Sequence, residues 1–204
     1  MEARRFKMDE EWHDMPEGVE TFGALRAWAM DHFKEKGRVF LGALHGEASL
    51  SHDQMAEWEG SALAGFDTLE FLSADPEALA RRTCADTLAY LDWLEERMEE
   101  TCRNIGEGEI ESARVGLKEC AEGWSLALNS FLNLLQMAGK DLSTAEVGGR
   151  SLTVTAADLK EILEKIVQKF RREEMEGVDE LISDLSAHIE PMREAFERLQ
   201  IEFE

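Results

Sequence analysis

The chain has 204 residues and a formal net charge of −22 at pH 7, because 44 aspartates and glutamates outnumber 22 lysines and arginines. A surface this acidic is repelled by phosphate backbones and anionic lipid headgroups, which excludes bulk binding to nucleic acid or to membrane surfaces. At 44% hydrophobic residues the chain can bury a core, and its length suits one or two domains. A glutamate-rich composition with only three prolines predicts a mainly α-helical protein.

Residues 1–74 have short apolar runs punctuated by glycine, which is typical of strands. The exception is Thr21 to Lys36, where apolar residues recur at helical spacing before Gly37. We therefore predict a small α/β domain of two or three strands over residues 1–74, with one main helix packed on it. The predicted strands are Arg38–Leu44, Phe66–Leu72 and, more weakly, Arg4–Met8, with a short helix near His52–Trp58.

Residues 75–204 predict an antiparallel four-helix bundle. Asp75 and Pro76 form a helix start, and the first helix extends to Ile105 before a tight glycine turn. The second helix carries an a/d heptad seam of apolar and small residues from Ile110 to Ala138. These two helices are expected to be antiparallel neighbours because the turn between them is short.

The connection that follows, residues 139–154, is long for a bundle and predicts a crossover. Thr155 and Asp158 resemble a capping box, which places the start of the third helix there. The fourth helix is expected from Val178 to Phe203, with a kink over the turn preceding Pro191.

The segment from Gly123 to Gly139 contains no charged residue, although 32% of the chain is charged. A helix that is apolar on more than one side is normally buried. The alternative is that a second stripe remains uncovered and forms a contact with a partner protein or with another copy. The candidate partner surface consists of Trp124, Leu128, Asn129, Leu132, Asn133, Leu135 and Gln136.

The three cysteines, Cys84, Cys102 and Cys120, include no CxxC pair and are odd in number, so they predict neither a disulfide framework nor a zinc site. Buried small apolar residues are the better interpretation. No stretch has the length and apolarity of a signal peptide or a transmembrane helix. These features favour a cytoplasmic protein without a cofactor.

Several short motifs occur in a distinctive order along the chain. They are Gly37–Val39, Glu47–Leu50, Thr68–Ala74 with Pro76, Gly148–Leu152 and Asp184–Pro191. This order resembles an uncharacterised group of bacterial proteins, in which a small strand-and-helix segment precedes helical hairpins separated by a glycine-rich loop. The resemblance implies the same architecture as the pattern of elements, but it implies no activity and assigns no functional residue.

Two histidine patterns are candidate sites of chemistry. Di-iron bundles use Glu-x-x-His on two helices, and Glu10 with His13 is the one such pair, in the N-terminal segment. Asp184 and His188 are one helical turn apart beside an apolar stripe, as in a proton-transfer or metal-binding fragment. A boundary histidine bonded to its neighbour is the simpler interpretation of the second pair.

Other candidate sites have a simpler interpretation as well. A turn is flanked by His45, His52 and Asp53, and these side chains can chelate a metal only if the turn folds back. Runs of glutamate on the helices are typical of solvated faces. No phosphate-binding loop, dinucleotide fingerprint or hydrolase motif is present in the sequence.

The sequence therefore favours a non-enzymatic cytoplasmic helical-bundle protein that acts by protein–protein interaction or self-association, without catalytic residues, cofactor or metal. Three alternatives stay open. One is an acidic chaperone of the secretion or flagellar export type, and another is a metal-binding or carboxylate-based enzyme on a helical bundle. The third is an adaptor whose α/β domain recognises a partner while the bundle dimerises.

Overall fold

The computed structural model describes residues 5–203, which form a mainly α-helical fold with an α/β part. The chain divides into two compact units on either side of the Leu79–Ala80 peptide bond. Of the predicted N-terminal strand, Arg4 lies outside the described residues. The two units are described separately below.

The first unit contains a five-stranded mixed sheet and two α-helices. The strand order is β2-β1-β5-β3-β4, with β1 parallel to β5 and the other pairs antiparallel. All three predicted strands are present. The two strands that were not predicted, β2 and β4, are short and exposed, so they lack the apolar alternation that marks a strand. The elements are β1 (Arg5–Met8), β2 (Glu11–Asp14), α1 (Phe22–Glu35), β3 (Val39–His45), β4 (Ala48–Ser49), α2 (His52–Glu57) and β5 (Leu69–Ala74).

Aromatic side chains form the centre of this unit's core. Phe6 of β1, Phe22 of α1 and Phe71 of β5 are fully buried, and the Phe71 ring lies 6.0 Å from Phe6 and 6.1 Å from Phe22. The α1 helix begins after Thr21, whose side chain accepts a hydrogen bond from the Ala24 amide. The helix therefore starts where the sequence predicts, with its apolar stripe on the sheet.

The turn between β1 and β2 has an unusual backbone. Asp9 and Glu10 both have positive φ angles, 47° and 70°, although neither is glycine. The buried Glu70 carboxylate accepts a hydrogen bond of 2.7 Å from the Glu10 amide. The Asp9 carboxylate accepts from the Ser73 amide at 2.7 Å and from the Ser73 hydroxyl at 2.6 Å. These bonds to β5 hold the turn in a conformation that its own residues disfavour.

Replacing Glu10 with glycine is expected to stabilise this unit by up to about 1 kcal/mol, because glycine adopts positive φ without the Cβ clash. The amide that donates to Glu70 is retained in this variant. Hydrogen exchange of the β1 and β5 amides measures the effect locally. Glu11→Gly is the control, since it removes a side chain from β2 at a position without positive φ and should destabilise. Equal destabilisation by both variants would contradict the argument.

The second unit consists of long helices and a small β-hairpin. None of the helices in the described part of the chain is both long enough and apolar enough to cross a membrane. The elements are α3 (Pro76–Gly106), α4 (Ile110–Met137), β6 (Glu146–Val147), β7 (Arg150–Ser151), α5 (Leu152–Arg171), α6 (Val178–Ser186) and α7 (Ile189–Glu202).

The first two helices of this unit confirm their predicted bounds, while the predicted start of the third helix is wrong. The third helix begins at Leu152, because the Ser151 side chain caps it by accepting from the Val154 amide. Thr155 therefore lies inside the helix and does not cap it. The predicted fourth helix is interrupted in the turn before Pro191, where the kink was expected, and the interruption separates α6 from α7. Pro191 itself lies in the first turn of α7, where the backbone N–H groups have no intrahelical acceptor.

The long connection between α4 and α5 has its own structure. A short 3-10 turn at Leu142–Thr144 precedes the β6–β7 hairpin, whose two turn residues Gly148 and Gly149 have φ angles of 58° and 74°. This is the type of turn that favours glycine at both central positions. A Cβ on Gly148 would also lie 2.8 Å from the Pro191 Cβ, so only glycine fits between the hairpin and α7.

Helices α3 and α4 approach closely through small residues. A Cβ added to Gly116 would overlap the Thr101 hydroxyl oxygen, and one on Gly123 would lie 2.9 Å from a Leu94 methyl carbon. The residue later in α4 meets the residue earlier in α3, which is the pattern of an antiparallel pair of helices. The Arg97 guanidinium bonds Glu119 at 2.5 Å beside this contact. The two glycines of α4, which lie beside the heptad seam, therefore face α3.

Gly116→Ala is expected to lower the free energy of unfolding by about 2 kcal/mol, because the added methyl group meets a packed side chain. Gly106→Ala is the matched control. It lies in α3 with no atom within 4 Å of the new Cβ, so it should raise the stability by up to about 1 kcal/mol. Urea unfolding measures both, and a neutral Gly116→Ala would contradict the close approach. Adding Thr101→Ala to Gly116→Ala should recover part of the loss.

Candidate functional site

The predicted partner surface on α4 is divided between the interior and the exterior of the second unit. Trp124 is fully buried and Leu135 is 6% exposed, so these two belong to the core. Leu128 and Leu132 are partly buried and pack against that core. Only the three amides of the surface, Asn129, Asn133 and Gln136, are exposed.

The exposed side of the same segment is a strip without charge. Its apolar members are Leu126, 52% exposed, and Met137, 38% exposed. Nothing in the sequence pattern separates Leu126 from the other leucines, because the heptad alone does not say which neighbouring stripe is covered. The uncharged strip consists of Ser125, Leu126, Asn129, Asn133, Gln136 and Met137.

A groove of about 580 Å³ with an apolar floor lies between α4 and α5. Its floor is formed by Leu117, Ile166 and Phe170, which are buried. Val167 also lines the groove and is 46% exposed. A concave surface with an apolar floor and charged groups at its edges is typical of a binding site.

The edges of this groove carry the opposite charge to the chain. Arg114 and Lys118 of α4 and Arg171 of α5 line it, against one acid, Glu173. Arg114 and Lys118 each pair with a glutamate on α4, at 3.3 Å and 3.7 Å, but these pairs are exposed and therefore weak. The groove is thus locally cationic on a protein of net charge −22. The sequence does not reveal this groove, because the residues that line it come from two helices whose pairing the sequence does not specify.

The Asp184 and His188 pair lies at a different place in the second unit. Both residues line a cleft formed by the β6–β7 hairpin, the start of α5 and the junction of α6 with α7. The His188 ring meets the buried Trp124 ring edge-on, with centroids 6.4 Å apart. Burial lowers the pKa of His188; Arg150 lowers it further, and the carboxylates of Asp158 and Asp184 raise it.

We expect NMR titration to give a pKa for His188 below the ordinary 6.5, because burial outweighs the two carboxylates that face it. The unfolded chain then binds a proton that the folded chain does not. Stability should fall as the pH drops from above 6.5 through the folded-state pKa, and His188→Gln should remove that part of the loss. A measured pKa above 6.5 would mean that Asp158 and Asp184 dominate over burial.

The other candidate histidines have packing partners. His13 of β2 lies against Phe6 and His32, with ring centroids 5.8 Å and 6.3 Å away. His45 packs edge-on against Trp58 and Phe66, at 5.7 Å and 5.5 Å. His52 and Asp53 are exposed in the first turn of α2, and Glu10 is in the β1–β2 turn.

The cysteines behave as small apolar residues, as the sequence predicts. Cys84 and Cys120 are fully buried and Cys102 packs against the same core. Burial raises the pKa of Cys84 and of Cys120 to about 11, which keeps both thiols protonated and unreactive at neutral pH.

Within residues 5–203, no group of three or more histidine, cysteine, aspartate or glutamate side chains is placed to hold a metal ion. Comparisons with protein-family models, with curated proteins and with solved structures gave no match to this chain.

Proposed function

We propose that this protein acts by protein–protein interaction, binding an acidic amphipathic helix of another protein in the groove between α4 and α5. The observation that carries the proposal is the reversed charge of the groove. Three cations and one acid surround an apolar floor, on a chain that is acidic elsewhere. A segment with apolar residues on one face and carboxylates beside them complements both properties.

The shape of the groove supports a helix as the occupant. Helices that bind between two other helices insert residues spaced by three and four into an apolar depression. The floor residues Leu117, Ile166 and Phe170 offer such a depression, and Arg114, Lys118 and Arg171 stand beside it. We further propose that the second unit is an antiparallel four-helix bundle whose fourth member is α6 with α7. A chaperone that masks an amphipathic segment of a client is the specific role that fits this arrangement.

Two labelled helical peptides test the proposal by fluorescence polarisation. Both carry the same leucine stripe, and one has glutamates beside the stripe where the other has lysines. The acidic peptide should bind and the basic peptide should not. The affinity of the acidic peptide should weaken as salt is added, because salt screens the charge pairs at the edges of the groove. Equal binding of the two peptides would overturn the proposal.

Val167→Asp tests the location of the binding site. A carboxylate on the groove wall should reduce the affinity for the acidic peptide at least tenfold, through lost apolar contact and repulsion. Val115→Asp is the matched control, because Val115 is 54% exposed on α4 and does not line the groove. Circular dichroism checks that both variants are folded. Equal effects of the two substitutions would contradict the assignment.

Self-association is a second candidate, and the uncharged strip supports it. Two copies of a chain with a net charge of −22 repel each other least where neither presents a charge. Leu126 and Met137 supply exposed apolar surface there. Light scattering at increasing concentration should show a dimer that Leu126→Glu abolishes. Ile201→Glu, at an exposed position of α7, is the control and should leave the dimer intact; a monomer at all concentrations would exclude this candidate.

A further inference from the structure

The cleft that contains Asp184 and His188 has the dimensions of a small-molecule site. Its volume is about 480 Å³, within the range of ligand pockets in proteins. The β6–β7 hairpin forms one wall through Gly148 and Arg150, and α5 forms another through Thr155 and Asp158. The close contact of Gly148 with Pro191 fixes the hairpin over the junction of α6 and α7.

Thr155 supplies the first sign of a missing partner. Its side chain lines the cleft, the residue is 2% exposed, and no hydrogen-bond partner for its hydroxyl is found among residues 5–203. Two other hydroxyls in these helices bond to the carbonyl one turn earlier, as Thr101 does to Arg97 and Ser186 to Ile182. A buried hydroxyl without a partner is unfavourable unless a ligand or a water completes it.

His188 is the second hydrogen-bonding group of the cleft. Its ring lines the cleft and is held from behind by the edge-on contact with the buried Trp124 ring, which does not itself line the cleft. A neutral imidazole donates from one nitrogen while accepting at the other. Thr155 and His188 therefore offer donors to an acceptor oxygen in the cleft.

The charges of the cleft indicate the rest of the ligand. Arg150 pairs with Asp158 at 2.5 Å, and Lys165 pairs with Glu161 at 2.7 Å. Asp184 is the third carboxylate lining the cleft and makes no ion pair within the described residues. One negative charge is thus left over, and the acidic chain around it adds to the local preference for a cation.

We propose that this cleft binds a small organic ammonium compound that carries a hydroxyl or carbonyl oxygen. The oxygen accepts from the donors at the Thr155 and His188 end, and the ammonium group pairs with Asp184. The proposal is independent of the helix-binding groove, because none of these residues lines that groove.

Three probes of four non-hydrogen atoms separate the two recognition elements. Ethanolamine has both the ammonium group and the oxygen, propylamine lacks the oxygen, and ethylene glycol lacks the charge. Chemical shifts of the Thr155 and Ala187 methyl groups and of the His188 ring report binding to the full chain. Ethanolamine should give saturable shifts at millimolar concentration, with propylamine and ethylene glycol each at least fivefold weaker. Propylamine as tight as ethanolamine, or no saturable shift with ethanolamine, would overturn the proposal.

Two substitutions assign the roles. Thr155→Val keeps the shape of the side chain and removes the hydroxyl, so it should weaken the affinity for ethanolamine about fivefold and leave the affinity for propylamine unchanged. Asp184→Asn should weaken the affinity for both amines about fivefold and leave the affinity for ethylene glycol unchanged. Thr101→Val and Asp179→Asn are the controls outside the cleft and should not alter binding. Unchanged ethanolamine affinity in Thr155→Val would refute the assignment, and thermal unfolding confirms that each variant is folded.

Discussion

The close approach of α4 to α3 is the contact on which the second unit depends. Glycine at positions 116 and 123 leaves room for the Thr101 and Leu94 side chains of α3 against the α4 backbone, where an added Cβ would come too close to them. Trp124, on a neighbouring side of α4, is fully buried and faces His188 at the start of α7. This enclosure explains why the inward positions of the uncharged segment carry no charge, but it does not account for the exposed strip of the same segment.

Ion pairs on the periphery then connect the remaining helices. Arg193 of α7 reaches Asp92 and Glu95 of α3, and Lys140 reaches Glu202 at the end of α7. Hydrogen bonds from Arg193 to these carboxylates raise its pKa. Such pairs are largely exposed and contribute less to stability than the buried seam. They align helices that the apolar core has already brought together.

The groove and the cleft lie on different sides of α5 because each is formed by a different neighbour. α4 and α5 leave the cationic apolar groove, while the hairpin, α6 and α7 close the polar cleft around Thr155. The groove has an apolar floor with few hydrogen-bonding groups, which suits a protein segment. The cleft has a buried hydroxyl without a partner among the described residues, which suits a small polar ligand. Because the chain is acidic as a whole, the cationic groove differs in charge from its surroundings, and the preference of the cleft for a cation is increased.

Local rules of the sequence determined most of the elements. Thr21 and Pro76 set helix starts, the 3.5-residue repeat set α4, and glycine pairs set the turns, because caps, periodicity and backbone freedom act over a few residues. Tertiary packing decided the rest. It determined which stripe of α4 stays exposed and placed Gly148 of the hairpin against Pro191. The groove and the cleft were decided only by which helices become neighbours, since their walls come from residues tens of positions apart and no local pattern records that pairing.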